Sequence, residues 1–448
     1  MSQPRTAGSS PLVGAPLLPT LTRLAIPGVL GALIQSLLPA LEAWYLSRTG
    51  TGALAAVALV FPLIMLANML AAGAIGGATS GAVARAIGAG DAARASAVYR
   101  SAVLIAITGG ALMGVVLLTF ASYFFKLIGA QGNVLTAALA YGQIAFAGLP
   151  LIWLFNMLSA VMRGTGDMTR PAIGMVVIAA SYALLGGWLI PTSGSDLSAV
   201  MQFAAIALLG AFACGSVVLI YFLNHPGQPV RFQRQWPDRR VTFDILKPGL
   251  LAGMQSVMTI IYALVATALL GRLGIDWLAG YGLAVRLELL MIPAIFGIGA
   301  SLIAIVGAHV GAGQTRRAIS IAWRGTAANV AVVGIIGIGF ALAPQFWCDQ
   351  VASNESVSGN CQQTLQILGP FYGFFALGLG LYFASQGLNT LIYPVSGALV
   401  RLLLVATGLL WVGTDTDPAI VLWTIAGAMI AYGIFVATCL WRIAWRIS

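Results

Sequence analysis

Long apolar runs recur along the whole chain and are the feature that most restricts its fold. A helix needs about 20 mostly apolar residues to cross the hydrocarbon core of a bilayer. Twelve such spans can be drawn, at residues 24–47, 53–78, 99–123, 134–160, 171–191, 199–223, 246–271, 277–307, 320–343, 364–387, 392–412 and 419–441. The chain is 60% hydrophobic and 8% charged, whereas a soluble domain has roughly 25% charged residues. The sequence predicts an all-α polytopic membrane protein with twelve transmembrane helices.

The basic residues set the orientation of these spans. With the N-terminus in the cytoplasm, the outer segments hold only Arg48, Lys126 and Arg272, while the other basic residues outside the spans fall on the cytoplasmic side. This bias follows the positive-inside rule and predicts that both termini are cytoplasmic. The formal net charge of +10 therefore reflects membrane topology, and we expect no nucleic-acid partner.

The two halves of the chain repeat each other. RAIGAGDAARASAVYRSA, from Arg85, returns as AHVGAGQTRRAISIAWRGT, from Ala308, and IPGVLGALIQSLL, from Ile26, resembles KPGLLAGMQSVM, from Lys247. Six spans per half give both halves the same orientation, so an axis along the membrane normal should relate them. We predict a flexible cytoplasmic tail (1–23), an N-terminal six-helix lobe (24–223), a cytoplasmic linker (224–245) and a C-terminal six-helix lobe (246–448). The lobes should surround a central cavity.

The first span contains the principal candidate for function, Glu42. Gln35, Pro39 and Glu42 are spaced i, i+4 and i+7, so they share one helix face. Pro39 has no N–H, which frees the Gln35 carbonyl and predicts a bend. A charged carboxylate at membrane depth costs at least about 2.5 kcal/mol and normally faces protein or a water-filled cavity. We predict that Glu42 carries the coupling cation; the alternative is a carboxylate that is simply hydrated near its helix end.

Other polar residues inside the spans are candidates to line the substrate cavity. Arg286 and Glu288 lie in the eighth span, two residues apart and so on different faces, and Glu288 is a candidate partner of Arg401. An acidic Glu288 in the cavity would suit a cationic substrate. Each of the remaining candidates either contacts substrate or forms a helix–helix hydrogen bond worth about 0.6 kcal/mol; they are Asn68, Tyr141, Asn156, Gln255 and Gln386.

The remaining chemistry-bearing residues indicate no enzyme. The chain has no GxxxxGK[ST] phosphate-binding loop and no His, Cys or acidic cluster with metal-ligand spacing. We therefore expect no cofactor, no metal site and no catalytic residues. Cys348 and Cys361 share one outer loop, where an oxidising exterior permits a disulfide between them.

Four motifs resemble one family of transporters. LEAWYLSRTGTGALAAV ends the first span, VARAIGAGDAARA joins the second to the third, VMRGTGDMTRPAI follows the fourth, and YGLAVRLELLMIPAIFGIGASLIAIVGAHVGAGQ covers the eighth. Together they are similar to the bacterial branch of the multidrug and toxic compound extrusion (MATE) family. The resemblance implies twelve helices in two bundles, a V-shaped cavity, and cation-driven export of small organic, typically cationic, compounds across the bacterial inner membrane by alternating access. We expect a monomer.

Two departures from the family pattern bear on the coupling ion. The family's usual acid in the first helix is aspartate, and Glu42 replaces it here. Many members also have sodium-linked acids in the seventh and tenth helices, where this chain offers Gln255 and Gln386. These differences favour H⁺ over Na⁺, although sodium coupling remains the first alternative.

Three further readings compete with drug export. A flippase for lipid-linked precursors should have a strongly cationic cavity, but the spans contain only Arg286 and Arg401 as cations. A polytopic membrane enzyme needs a nucleophile–base pair or a metal pair at depth, and no span has a histidine well inside it. A receptor without transport gives no reason for the repeat.

Overall fold

A computed structural model describes residues 11–190, 196–232, 235–352 and 354–447, and within these ranges the chain is helical with no strand. Eleven of the described helices are long and apolar enough to span a membrane. A further pair, Gly132–Ala147 and Leu149–Gly164, is long and apolar enough only when taken together, and it is bent by 48°, as in a broken span or a re-entrant loop. Counted as one span, this pair brings the described helices to the twelve predicted spans. The break falls at Gly148, before Pro150 in the first turn of the second helix, a position where the missing N–H of proline costs nothing.

The helices form two compact units that exchange short segments. Unit 1 is described over residues 30–250, and unit 2 comprises residues 11–29 together with residues 251–448. The predicted linker, 224–245, is therefore part of unit 1. At the repeat offset of the first helix of each half, residues 11–29 correspond to residues 232–250, so each unit includes the opening segment of the other half.

The prediction of a flexible tail is wrong for residues 11–23. Most of this segment is helical, in α1 (Pro11–Gly14) and the start of α2 (Leu17–Ser47). Leu12, Val13 and Leu21 are buried in unit 2, which stabilises this segment. Residues 1–10 of the predicted tail lie outside the described ranges.

Unit 1 contains most of α2 and seven further complete helices. These are α3 (Thr51–Asn68), α4 (Gly76–Gly88), α5 (Ala92–Leu127), α6 (Gly132–Ala147), α7 (Leu149–Gly164), α8 (Thr169–Leu189) and α9 (Leu197–Asn224). A π-helical segment, Met69–Ile75, joins α3 to α4. Glycine permits close helix packing in this unit: a Cβ built on Gly110 of α5 would lie 2.6 Å from the Cα of Pro150 in α7.

Polar contacts fix the connection between the two halves, residues 224–245, to unit 1. Arg94 in α5 forms an ion pair of 3.2 Å with Asp244, and Thr242 donates a hydrogen bond of 3.0 Å to Ser101. The backbone N–H of Arg231 donates to Ser96. These contacts explain why residues 224–250 belong to unit 1.

Besides α1 and the first part of α2, unit 2 contains α10 from residue 251 onwards and seven further helices. The helices are α10 (Arg239–Arg272), α11 (Ile275–Gly311), α12 (Thr315–Leu342), α13 (Gln345–Val351), α14 (Glu355–Leu368), α15 (Tyr372–Leu388), α16 (Ile392–Trp411) and α17 (Pro418–Ile447). A 3-10 turn joins α14 to α15, which together form one span. Cys348 of α13 and Cys361 of α14 are joined by a disulfide with a Cα–Cα distance of 5.8 Å.

Candidate functional site

Glu42 lies inside unit 1 with a tyrosine hydroxyl on its carboxyl group. Its side chain is buried, with the residue 8% exposed. The hydroxyl of Tyr141 in α6 donates to Glu42 Oε1 at 2.7 Å, in a contact that is itself buried. This hydrogen bond ties α2 to α6 across 99 residues of sequence.

Two more tyrosines surround this contact. Tyr182 of α8 lies close to the Glu42 carboxyl, but its hydroxyl reaches hydrogen-bond geometry with no atom of the described residues. Tyr45 packs edge-on against Tyr182, with ring centres 6.3 Å apart, and donates to the Ala183 carbonyl at 2.7 Å. The carboxyl group of Glu42 is therefore surrounded by tyrosine side chains, whose hydroxyl groups are neutral.

In the described part of the chain, no basic side chain forms an ion pair with Glu42. Among the described residues the ion pairs within 4 Å are Arg94–Asp244 and Arg170–Asp167, neither of which involves it. Arg48, the nearest arginine in sequence, stacks instead over the Trp44 ring at 3.7 Å. A buried carboxylate without a cation is costly when charged. The site is thus suited to a carboxyl group that binds and releases a cation.

Gln35 and Pro39 are on α2 but take no part in this contact. Helix α2 continues as one α-helix through Pro39. Both residues are half-buried, and the hydrogen bond found on Glu42 comes from Tyr141. The structure therefore brings Tyr141, and not Gln35 or Pro39, onto the carboxyl group.

Asn68 and Asn156 contact each other inside unit 1. Asn156 Nδ2 donates to Asn68 Oδ1 at 3.2 Å and to the Ile152 carbonyl at 2.9 Å. This bond links α3 to α7, so of the two predicted roles the structure contains the helix–helix hydrogen bond. It sits next to the π-helical segment Met69–Ile75, a feature frequently found at functional sites that the sequence analysis did not identify.

Unit 2 contains a second polar centre, around Arg401 of α16, which is 3% exposed. Three aromatic rings surround its guanidinium carbon, with centres at 4.1 Å (Tyr262), 5.0 Å (Tyr432) and 5.4 Å (Phe375). Arg401 also donates to Thr259 Oγ1 at 3.3 Å. Cation–π contacts of this kind stabilise a buried guanidinium. These rings come from three helices, and nothing in the sequence placed them together.

Glu288 is near this centre without forming the ion pair considered from the sequence. It is half-buried and interacts electrostatically with Arg401, yet none of the ion pairs within 4 Å among the described residues joins them. Arg286 is exposed, consistent with its position on a different helix face. The direct contacts of the Arg401 guanidinium group are therefore with aromatic rings and not with a carboxylate.

The comparisons with known proteins agree with this arrangement. A model of the MatE family matches residues 27–190 and 252–412, one segment in each half. The chain belongs to the MatE family.

Solved structures and curated proteins resemble this chain. A MOP superfamily transporter from Pyrococcus furiosus superposes with a TM-score of 0.85 at 23% identity, covering 95% of each chain. The FAD transporter of Shewanella oneidensis is 26% identical over 317 residues, 68% of each protein. A probable multidrug resistance protein of Bacillus subtilis is 24% identical over 294 residues, 64% of this chain and 63% of that protein. The protein is an integral membrane transporter.

The remaining predicted cavity residues of this MatE protein lie in unit 2. Gln255 Nε2 donates to the Tyr432 hydroxyl at 2.9 Å, which connects α10 to α17 beside Arg401. Gln386 of α15 is buried, 2% exposed. Within the described ranges no three His, Cys, Asp or Glu side chains are close enough together to hold a metal ion.

Proposed function

We propose that this MatE transporter exports small organic compounds by proton antiport, with Glu42 as the proton carrier, in an inner membrane with both termini cytoplasmic. The observation that supports Glu42 is its buried carboxyl group, whose hydrogen-bond donor is the neutral Tyr141 hydroxyl at 2.7 Å. Charging such a group inside the membrane costs at least about 2.5 kcal/mol. A bound proton removes that cost.

Through the hydrogen bond from Tyr141, protonation of Glu42 changes how strongly α2 is connected to α6. When Glu42 is ionised, the bond from Tyr141 is charge-assisted, and such bonds are roughly twice as strong as neutral ones. Protonation of Glu42 from outside weakens this bond and loosens the connection between α2 and α6. In the proposed cycle this loosening accompanies substrate release, and loss of the proton to the cytoplasm restores the bond.

The proton gradient supplies enough free energy for this cycle. Each charge moved across the membrane contributes about 2.3 kcal/mol per 100 mV, and each pH unit adds about 1.4 kcal/mol. One proton per turnover would thus support accumulation against a gradient of tenfold or more.

Small organic cations are the first substrate class to test. The probable multidrug resistance protein of Bacillus subtilis supports an organic compound, and two carboxyl groups at membrane depth, Glu42 and Glu288, favour a positive charge on it.

An anionic flavin dinucleotide is the second substrate candidate. The FAD transporter relative is 26% identical over 68% of each protein. Arg401 supports this candidate, because it places a permanent positive charge among aromatic rings, and such rings also stack on planar heterocycles.

Transport into proteoliposomes under an imposed pH gradient separates these possibilities. The purified protein is supplied with a cationic dye or with FAD, first without sodium and then with it. Proton-driven, sodium-free movement of the dye is the expected result. If transport required sodium, the coupling ion would be Na⁺ and not H⁺. If FAD moved and the dye did not, the substrate would be an anionic dinucleotide and not an organic cation.

A further inference from the structure

Unit 2 contains a cavity of about 130 Å³ between its N-terminal segment and the ends of α11 and α12. Its polar and basic lining comes from Thr20, His309, Arg317, Ser320 and Arg324, and no acidic side chain lines it. One water occupies about 30 Å³ in the liquid, so the cavity has room for a group of several heavy atoms.

The two arginines of the cavity lie on one face of α12. Arg317, Ser320 and Arg324 are three and four residues apart and share one face of α12. Among the described residues neither arginine has an ion-pair partner. Their positive charges are therefore available to a ligand.

A buried histidine completes the inner wall. His309 is 1% exposed, and its Nδ1 lies 2.8 Å from the Ile305 carbonyl. Its Nε2 lies close to the backbone of Val13 but reaches hydrogen-bond geometry with no described atom. Among the described residues, the cavity lining thus contains a buried nitrogen without a well-formed hydrogen bond and two arginines without an ion-pair partner.

In unit 1, carboxylates of the protein itself occupy the corresponding position, at the N-terminus of α5. There Asp91 caps α5 by accepting from the Arg94 backbone N–H at 2.8 Å. The Arg94 side chain forms its ion pair with Asp244. Two carboxylates therefore satisfy the helix N-terminus and its arginine.

Both carboxylates are missing from the repeat in unit 2. At an offset of 223 residues, Gln314 replaces Asp91 and Arg317 corresponds to Arg94. Gln314 makes no side-chain cap on α12, and its Oε1 has no hydrogen-bond partner. At the offset of 221 that relates α10 to α2, the counterpart of Asp244 is Arg23. Unit 2 thus has a glutamine and an arginine at the two positions where unit 1 has aspartates.

We propose that this cavity binds a phosphate group through Arg317 and Arg324, and that the phosphate is the headgroup of an anionic lipid. Arginine guanidinium groups match phosphate oxygens in geometry and charge, and both arginine side chains line this cavity. The arginine bias places this end of the helices at the cytoplasmic bilayer surface, where basic pockets between helices bind anionic headgroups.

Lipid binding to the purified full-length protein in neutral detergent tests this proposal. Dioleoylphosphatidylglycerol and dioleoylphosphatidylcholine are titrated separately, and bound lipid is counted by native mass spectrometry. We expect preferential binding of phosphatidylglycerol that weakens about thirtyfold in Arg317→Gln/Arg324→Gln, since each arginine near an anionic surface contributes about fivefold. The control Arg442→Gln removes an exposed arginine elsewhere and should bind as wild type.

A second variant separates loss of binding from loss of folding. Gln314→Asp reproduces the cap of unit 1, so it should raise the melting temperature. It should also weaken phosphatidylglycerol binding, because the new carboxylate can pair with Arg317 three residues further on. Competition by inorganic phosphate would assign the site to a free phosphate in place of a lipid. Equal binding by wild type and the double arginine variant, or an equal loss in Arg442→Gln, would overturn the proposal.

Discussion

At the scale of single residues, the protein is organised by two buried charges that are stabilised in different ways. Glu42 has a neutral tyrosine donor, so its charge is conditional on the absence of a proton. Arg401 keeps its charge permanently and is surrounded by aromatic rings. Glu42 is therefore suited to cycle between states, whereas Arg401 supplies a constant field in unit 2.

Replacing Tyr141 by Phe tests the contact on Glu42. The variant leaves a buried carboxyl group without its donor, which costs about 1–3 kcal/mol. We expect a lower melting temperature in detergent and slower proton-driven efflux. Tyr123→Phe, on an exposed α5 side chain, is the control and should match wild type. An unchanged melting temperature and efflux rate in Tyr141→Phe would show that the hydrogen bond is dispensable.

At the scale of helices, close approach depends on positions where any side chain would collide. Gly110 is one of these, because a Cβ there would lie 2.6 Å from Pro150 Cα and 2.9 Å from Pro150 N. Small residues at helix contacts supply much of the packing between membrane helices. The α5–α7 contact is therefore specified by glycine and by the backbone opposite it.

Gly110→Ala should destabilise unit 1 by about 1–3 kcal/mol through overpacking. The matched control is Gly427→Ala in α17, where a Cβ would meet nothing within 4 Å. Because alanine has the better helix propensity, that control should be neutral or stabilising by up to about 1 kcal/mol. Thermal unfolding of the two variants in the same detergent measures the difference, and equal melting temperatures would contradict the packing argument.

At the scale of the whole molecule, the chain consists of two related units with distinct chemistry. The repeat supplies the same helical framework twice, but unit 1 contains the buried carboxyl group of Glu42, whereas unit 2 contains a buried arginine among aromatic rings. Duplication thus fixes the architecture, while local substitutions decide what each unit binds.

The orientation of the whole chain is testable with single cysteines. In a background lacking Cys214 and Cys439, Thr414→Cys should react with a membrane-impermeant maleimide in intact cells. Gln228→Cys should react only after permeabilisation. This is the result expected when cytoplasmic loops carry most of the arginines. The reverse pattern would invert the topology.

The sequence predicted features that depend on local composition and missed those that depend on distant partners. Apolar length was enough for the twelve spans, which the structure confirms. It did not predict the break at Gly148, because Gly–Leu–Pro inside an apolar run reads equally well as one continuous helix. It missed the helical segment from Pro11, since burial of Leu12 and Val13 depends on a surface in unit 2.

The candidate site shows the same division. Glu42 stands out because a carboxylate within an apolar run is expensive, but its partner Tyr141 is 99 residues away and was one of several polar candidates. Glu288 was a candidate partner of Arg401; the two interact electrostatically, but aromatic side chains from three helices lie against the guanidinium group. No periodicity in the sequence encodes those contacts.

Efflux driven by a pH gradient in sodium-free proteoliposomes, compared between wild type and Glu42→Gln, tests the central claim most directly. Glutamine keeps the size and hydrogen-bonding capacity of the side chain but cannot exchange a proton. Glu355→Gln, at an exposed acid outside the apolar core of its span, controls for the loss of a negative charge. We predict wild-type efflux in Glu355→Gln. In Glu42→Gln we predict efflux no faster than from protein-free liposomes, because glutamine has no proton to exchange. Unimpaired proton-driven efflux in Glu42→Gln would contradict the assignment.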